Sequence, residues 1–243
     1  ACLLVCLVVA VGGVLANWAR GGLPRVAIED VPWIGEGRAP FLVAGSILMS
    51  QSLVGCIFTY VLRNMQELAG YVSSRFSDAM SLYTWMSFVT ASIYLSLYCG
   101  SGHVVVSGGD HLLARSGLWT LSTPVQWLVF GHVCTRATEG DMVPIYVHTV
   151  MIQVFGALMH FVGDVAMRWF CFFAAASCLV QSFRYAFRLS PSKDMGGVSE
   201  QLRLVMLVVW TGFPVVVLLR RCGYLSAWQE QVLLLTVLDV LSK

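Results

Sequence analysis

Charge is the scarce ingredient of this chain. Asp, Glu, Lys and Arg make up 12% of its 243 residues, while 58% are hydrophobic. A water-facing domain carries roughly 25% charge, so the solvent for most of this chain is lipid rather than water. Mean hydropathy of +0.76 agrees. The formal net charge of +2 is too small to imply a nucleic acid or an acidic substrate as partner. Paired cysteines are also missing. The eight cysteines (2, 6, 56, 99, 134, 171, 178 and 222) include no C-x-x-C, and most lie in apolar runs, as buried free thiols do. The five histidines show no metal-ligand spacing. There is no phosphate-binding glycine loop and no nucleophile–base arrangement, so no catalysis is expected of this region. In SGHVVVSGGDH (101–111), His103, Asp110 and His111 read as the solvated polarity of a loop.

What the chain has in abundance is apolar runs near the roughly 20 residues a spanning helix needs. Eight lie at about 1–17, 41–63, 79–100, 113–133, 142–163, 165–188, 202–220 and 229–243. Short links between the last seven predict antiparallel neighbours in one bundle. The expected fold is all-α and polytopic: a seven-helix bundle over 41–243, preceded by one extra helix at 1–17. Residues 18–40, rich in Gly with Pro24, Pro32 and Pro40, read as an extramembrane loop. The first run has no basic start, and Val14-Leu15-Ala16 is a poor cleavage site, which favours a helix over a signal peptide. Both ends look cut from a longer parent. The run from Gln231 to Lys243 would rise only about 20 Å, short of the roughly 30 Å hydrocarbon core. Basic residues divide almost evenly between the two sides, and their concentration around 184–203 puts the loop after residue 63 in the cytoplasm.

The last run, QVLLLTVLDVLSK, places Asp239 and Lys243 one helical turn apart on one face. Alone in hydrocarbon, each would cost roughly 2.5–3.5 kcal/mol. A mutual ion pair neutralises both, yet an intramembrane pair is a functional hypothesis by default. A buried lysine is also the residue that forms Schiff bases with carbonyl compounds. In ARSGLWTLSTPVQWLVF, the residues Arg115, Leu118, Trp119, Ser122 and Thr123 recur at helical spacing, with Pro124 inside the run. In VVWTGFPVVVL, Trp210, Phe213, Pro214 and Val217 share a face. Two helices that each pair an aromatic face with an internal proline suit a slot for a flat polyene, with Trp119 and Trp210 as its walls.

R-x-x-x-W-x-x-x-T-P, W-x-x-F-P and L-D-V-x-x-K, together with Tyr94 in IYLSLYCGSG, resemble helices three, six, seven and two of microbial rhodopsins, over about residues 41–243. The resemblance implies an integral multi-pass membrane protein with retinal bound covalently to Lys243 as a Schiff base, and Asp239 as counterion. It implies that Arg115 organises the outward polar network, and that Trp119, Trp210 and Phe213 sandwich the polyene with Tyr94 near its Schiff-base end. Thr123 is expected to face His148, and Met151 to touch the polyene or ring. Phe213 and Val217 replace a tyrosine and an aromatic of the family pattern.

The departures bear on function. Leu118 stands where proton pumps carry the aspartate that accepts the Schiff-base proton, and Val129 where they carry the donor. Neither can move a proton. Residues 79–100 hold no acid of the kind that lines algal cation channels. A pocket kept without transport groups is expected of a light sensor, and an eight-helix region resembles those fused to cyclases, phosphodiesterases, kinases or bestrophin-type channels. The expected partners are lipid, a linked effector and further copies of the chain. A light-driven anion transporter is the alternative, because Leu118 leaves room for an anion and Ser122 offers a hydroxyl. A generic helical membrane protein with a structural Asp239–Lys243 pair is the third reading.

Overall fold

The computed structural model describes residues 39–69, 74–99, 103–106, 109–192, 196–225 and 228–243. The expected extra helix at 1–17 and nearly all of the loop at 18–40 lie outside these residues. Seven helices are described: α1 (Ala39–Ala69), α2 (Ser74–Tyr98), α3 (Leu113–Cys134), α4 (Glu139–Phe161), α5 (Val165–Ala186), α6 (Gly196–Arg221) and α7 (Trp228–Ser242). An antiparallel hairpin, β1 (His103–Val106) with β2 (Gly109–Leu112), joins α2 to α3 and pairs His103 with Leu112.

Local chemistry sets the helix ends. Thr138 caps α4 in a capping box, accepting from the Asp141 amide while the Asp141 carboxylate accepts from the Thr138 amide at 2.9 Å. Asp164 caps α5 by accepting from the Met167 amide at 2.8 Å. At the end of α6, the Tyr224 amide reaches back to the Leu219 carbonyl at 2.9 Å. That closure needs the left-handed turn at Gly223, whose φ is 82°. At the other end of α6, Arg203 is buried, donates to the Leu189 carbonyl at 2.7 Å and lies over the Phe130 ring. One guanidinium thus ties α6 to α3 and to the α5–α6 loop.

Apolar side chains point outward as well as inward. Leu53, Val54, Phe173, Val180, Val208 and Leu241 are all more than 60% exposed. Apolar surface on every side is intolerable in water and natural in lipid. Four helices, α1, α4, α5 and α6, are long and apolar enough to cross a membrane on composition alone. The other three, α2, α3 and α7, carry Tyr94, Arg115 and Asp239, which meet in the centre, and α7 is a shorter apolar helix. The chain is an integral, multi-pass membrane protein.

Close packing of α1 on α2 is tightest at one glycine. A Cβ at Gly55 would lie 2.4 Å from the Thr84 hydroxyl oxygen, on a β-branched side chain that is 8% exposed. At Gly131 the nearest atom is the flexible tip of Met142. Gly55→Ala is therefore expected to cost about 1–3 kcal/mol by overpacking, and Gly131→Ala clearly less. Thermal melting of the two purified variants in detergent checks this order.

Candidate functional site

The face of α3 that the spacing singled out turns inward. Arg115, Leu118 and Ser122 are 3%, 1% and 3% exposed. The α3 helix continues through Pro124, and the Thr123 hydroxyl donates to the Trp119 carbonyl at 2.5 Å.

Asp239 is the centre of the site and is fully buried. The Trp119 indole N–H donates to its Oδ1 at 2.6 Å, and the Tyr94 hydroxyl donates to its Oδ2. The Arg115 Nε lies 3.5 Å from the same Oδ2. Arg115 also donates to the hydroxyls of Tyr94 (3.2 Å) and Thr236 (2.6 Å). Trp119, Tyr94 and Thr236, from three helices, thus surround one carboxylate and one guanidinium, whose Nε faces the carboxylate at ion-pair distance without a hydrogen bond. That convergence of partners is what makes both ions tolerable out of water.

Lys243 is 7% exposed, and its amine donates to the Ser122 hydroxyl at 2.8 Å. The ion pair recorded for Asp239 is with Arg115, which joins Lys243 as a second cation near the carboxylate. Spacing within one helix could not show a guanidinium arriving from another. The Lys243 backbone is held as well. Its carbonyl accepts from the Tyr83 hydroxyl, and the Ser242 carbonyl accepts from Gln126 Nε2 at 2.6 Å.

From Asp239, Ser242 and Lys243 a cavity extends between α3, α4, α5 and α6. Trp119 and Thr123 line it from α3, and Trp210, Phe213, Pro214 and Val217 from α6. The Trp119 and Phe213 rings meet edge to face with centroids 5.0 Å apart. Along α6, Trp210 to Val217 covers seven positions, or about 10 Å of helix. An amine at one end of a long aromatic-walled cavity, with a carboxylate one turn away, fits a linear polyene aldehyde condensed on Lys243.

Two expected positions lie elsewhere. His148 donates through Nδ1 to the Pro144 carbonyl at 2.6 Å and packs near the Tyr185 ring, 5.5 Å between centroids. Met151 is buried with Phe155, Cys171 and Cys178. The α4 residues on the cavity are Ile152, Gln153, Gly156, Met159 and His160. Thr149, fully buried, bonds to Ser182 of α5 at 3.2 Å. The expectation was one residue out of register, and one residue turns a helix by about 100°. Thr236, Gln126 and Tyr83 were missed altogether. For Thr236 the signal was present, since it sits three positions before Asp239 on the inward face.

A seven-helix membrane bundle with a buried lysine in an aromatic cavity defines the class of retinal-carrying membrane pigments. The sequence profile of the bacteriorhodopsin-like protein family matches residues 42–243, and the chain belongs to that family. Its members bind retinal covalently through a lysine Schiff base. Among solved structures, the light-driven proton pump from Coccomyxa subellipsoidea is similar with a TM-score of 0.74 at 17% identity, covering 86% of this chain and 93% of its own. Halorhodopsin, a light-driven chloride pump, gives 0.68 at 15%, covering 84% and 90%. Thermophilic rhodopsin from Rubrobacter xylanophilus gives 0.67 at 19%, covering 84% and 91%. At these identities the likeness establishes the fold. No match was found among curated protein sequences.

The network sets an order of stabilities. Asp239→Asn leaves the buried Arg115 without its anion, at a cost of about 3–5 kcal/mol. Trp119→Phe removes one hydrogen bond to a charged group, at about 1.5–3 kcal/mol. Denaturation of the pigments, followed by loss of bound chromophore, is expected to rank Asp239→Asn below Trp119→Phe and both below the native protein.

Proposed function

We propose that this chain is a light-sensing module in which retinal on Lys243 controls a linked effector. The observation that carries the reading is Leu118. It is buried in an apolar cluster with Phe41, Ala91 and Leu97, and has neither a charge nor an acceptor atom for a Schiff-base proton. Among the described residues this leaves Asp239 as the carboxylate of the site. That anion is already committed to Arg115, Tyr94 and Trp119.

Bound retinal supplies a double bond that light isomerises and a carbonyl carbon that condenses with the lysine. The residues of the chain do the rest. Asp239 supplies the negative charge that favours a proton on the Lys243 nitrogen, and Ser122 offers that nitrogen a hydroxyl. Trp119, Trp210 and Phe213 bound the cavity, so a change of shape within it presses on α6 near Pro214. Arg203 fastens α6 to the α5–α6 loop, and displacement of the helix therefore reaches the membrane surface. There the output passes to a cyclase, phosphodiesterase, kinase or channel, with the chain assembled as a homo-oligomer. Catalysis, where there is any, belongs to that effector.

A light-driven anion transporter is the second reading. It is favoured by the buried cation Arg115 together with an apolar residue at 118, and by the chloride transport named for halorhodopsin. The two readings part experimentally. The sensor reading expects no stationary photocurrent from residues 1–243 in a planar bilayer, and a visible band that does not move when chloride is added. It also expects Asp239→Asn to absorb in the near ultraviolet at neutral pH, because the imine has lost the charge that keeps it protonated. A chloride-dependent band with a light-driven current supports the transporter, and an unchanged visible band in Asp239→Asn refutes the counterion role.

A further inference from the structure

Trp210, one wall of the cavity, is backed by two further rings. Trp210 of α6, Trp127 of α3 and Phe183 of α5 form a closed triangle in which each pair meets edge to face. The centroids are 5.4 Å apart for Trp127–Trp210, 5.4 Å for Trp127–Phe183 and 5.9 Å for Phe183–Trp210. Trp127 is fully buried and also meets Phe130 edge to face at 5.7 Å. Over the Phe130 ring, 5.6 Å from its centroid, lies the Arg203 guanidinium, which donates to the Leu189 carbonyl. All these rings pack in one apolar cluster with Leu189 and Cys134. There the two loops are joined backbone to backbone. The Arg136 amide donates to the Ser190 carbonyl at 3.0 Å, and the Ser192 amide to the Cys134 carbonyl at 2.9 Å, which pairs the α3–α4 loop with the α5–α6 loop.

Ordinary core packing accounts for aromatic rings behind a cavity, but it does not account for this indole. The Trp127 N–H is buried without a hydrogen-bond partner, and an unmet buried donor is destabilising. Leucine or phenylalanine would occupy the place without that cost. What the indole provides is contact with Trp210 and Phe130 at once. Interiors are close packed, so a displaced Trp210 must move the ring it abuts. We propose that Trp127 is the positioning residue through which the pocket acts on the loops. It carries a displacement of Trp210 to Phe130 and Arg203, the Arg203–Leu189 hydrogen bond gives way, and the paired α3–α4 and α5–α6 loops separate. This rests on the light-sensing reading above and adds the route and the place of its output.

The test is hydrogen exchange in the dark and in the light. The retinal-loaded full chain is exchanged in detergent under both conditions, and peptides covering 134–138 and 188–192 are followed by mass spectrometry. Continuous light is expected to speed exchange there about tenfold, the factor that one hydrogen bond to a charged group provides. Neither Trp127 nor Phe130 lines the cavity. In Trp127→Leu and Phe130→Leu the ratio of light to dark rates is therefore expected to fall towards one, while the visible band still forms and responds to light. A merely structural role would raise the dark and light rates together and leave their ratio alone. A native ratio in either variant overturns the proposal. Phe130→Leu, one ring further from the cavity, decides the matter if Trp127→Leu forms no pigment. Loops that ignore light in a native pigment that responds to it overturn the proposal and leave the retinal reading standing. A native chain that forms no pigment overturns both.

Discussion

The bundle is organised around one buried carboxylate. Asp239 lies in the last helix, out of reach of water, and is tolerable there only because Trp119, Tyr94 and Arg115 converge on it. Removing an ion from water costs several kcal/mol even after relaxation, and the cost is met only when every lone pair is used. That requirement fixes the spatial order of the elements. The α2 and α3 helices must lie against α7, with Tyr94 and Arg115 at matching depths, and the β hairpin between them sets their relative height. The α4, α5 and α6 helices complete the enclosure and leave the cavity between themselves and the charged wall. The amine at Lys243 inherits its surroundings from the same arrangement, one turn along α7 and facing Ser122.

Much of this was legible in the sequence, and the reasons are local. Helices longer than 20 residues with apolar composition announce themselves in lipid because the backbone has no other way to satisfy its polar groups. An aspartate and a lysine four apart in such a helix are conspicuous because both are costly there. The aromatic–proline faces of α3 and α6 follow from periodicity alone, and the structure puts Trp119, Trp210 and Phe213 on one cavity.

What was illegible depended on rotation and partnership. The α4 helix is apolar nearly all round, with His148 and Thr149, and again Ile152 and Gln153, adjacent in sequence, and nothing in its composition says which of them faces inward. A slip of one residue moved the expectation from Thr149 and Ile152 to His148 and Met151. The Arg115 partner of Asp239 was illegible for a related reason. Spacing within a helix favours Lys243, but the ion pair is made across helices by Arg115. Tyr83 and Gln126, which hold the last two carbonyls of the chain, look like ordinary polar residues until α7 is laid against α2 and α3.

The proposed reading rests on a buried leucine at position 118 beside an intact aromatic cavity. Of the charged groups, Arg115 serves to hold Asp239 in place. In the proposed sensor reading the energy of a photon becomes displacement of a helix, and α6 is the helix that lines the cavity and is tied by Arg203 to the α5–α6 loop.

The central claim is that Lys243 carries the chromophore. Borohydride reduction of the retinal-loaded protein, followed by proteolysis and mass spectrometry, is expected to find a retinyl group on the peptide containing Lys243 and on no other. An unmodified Lys243 in a protein that has nonetheless been exposed to retinal would contradict the account at its root.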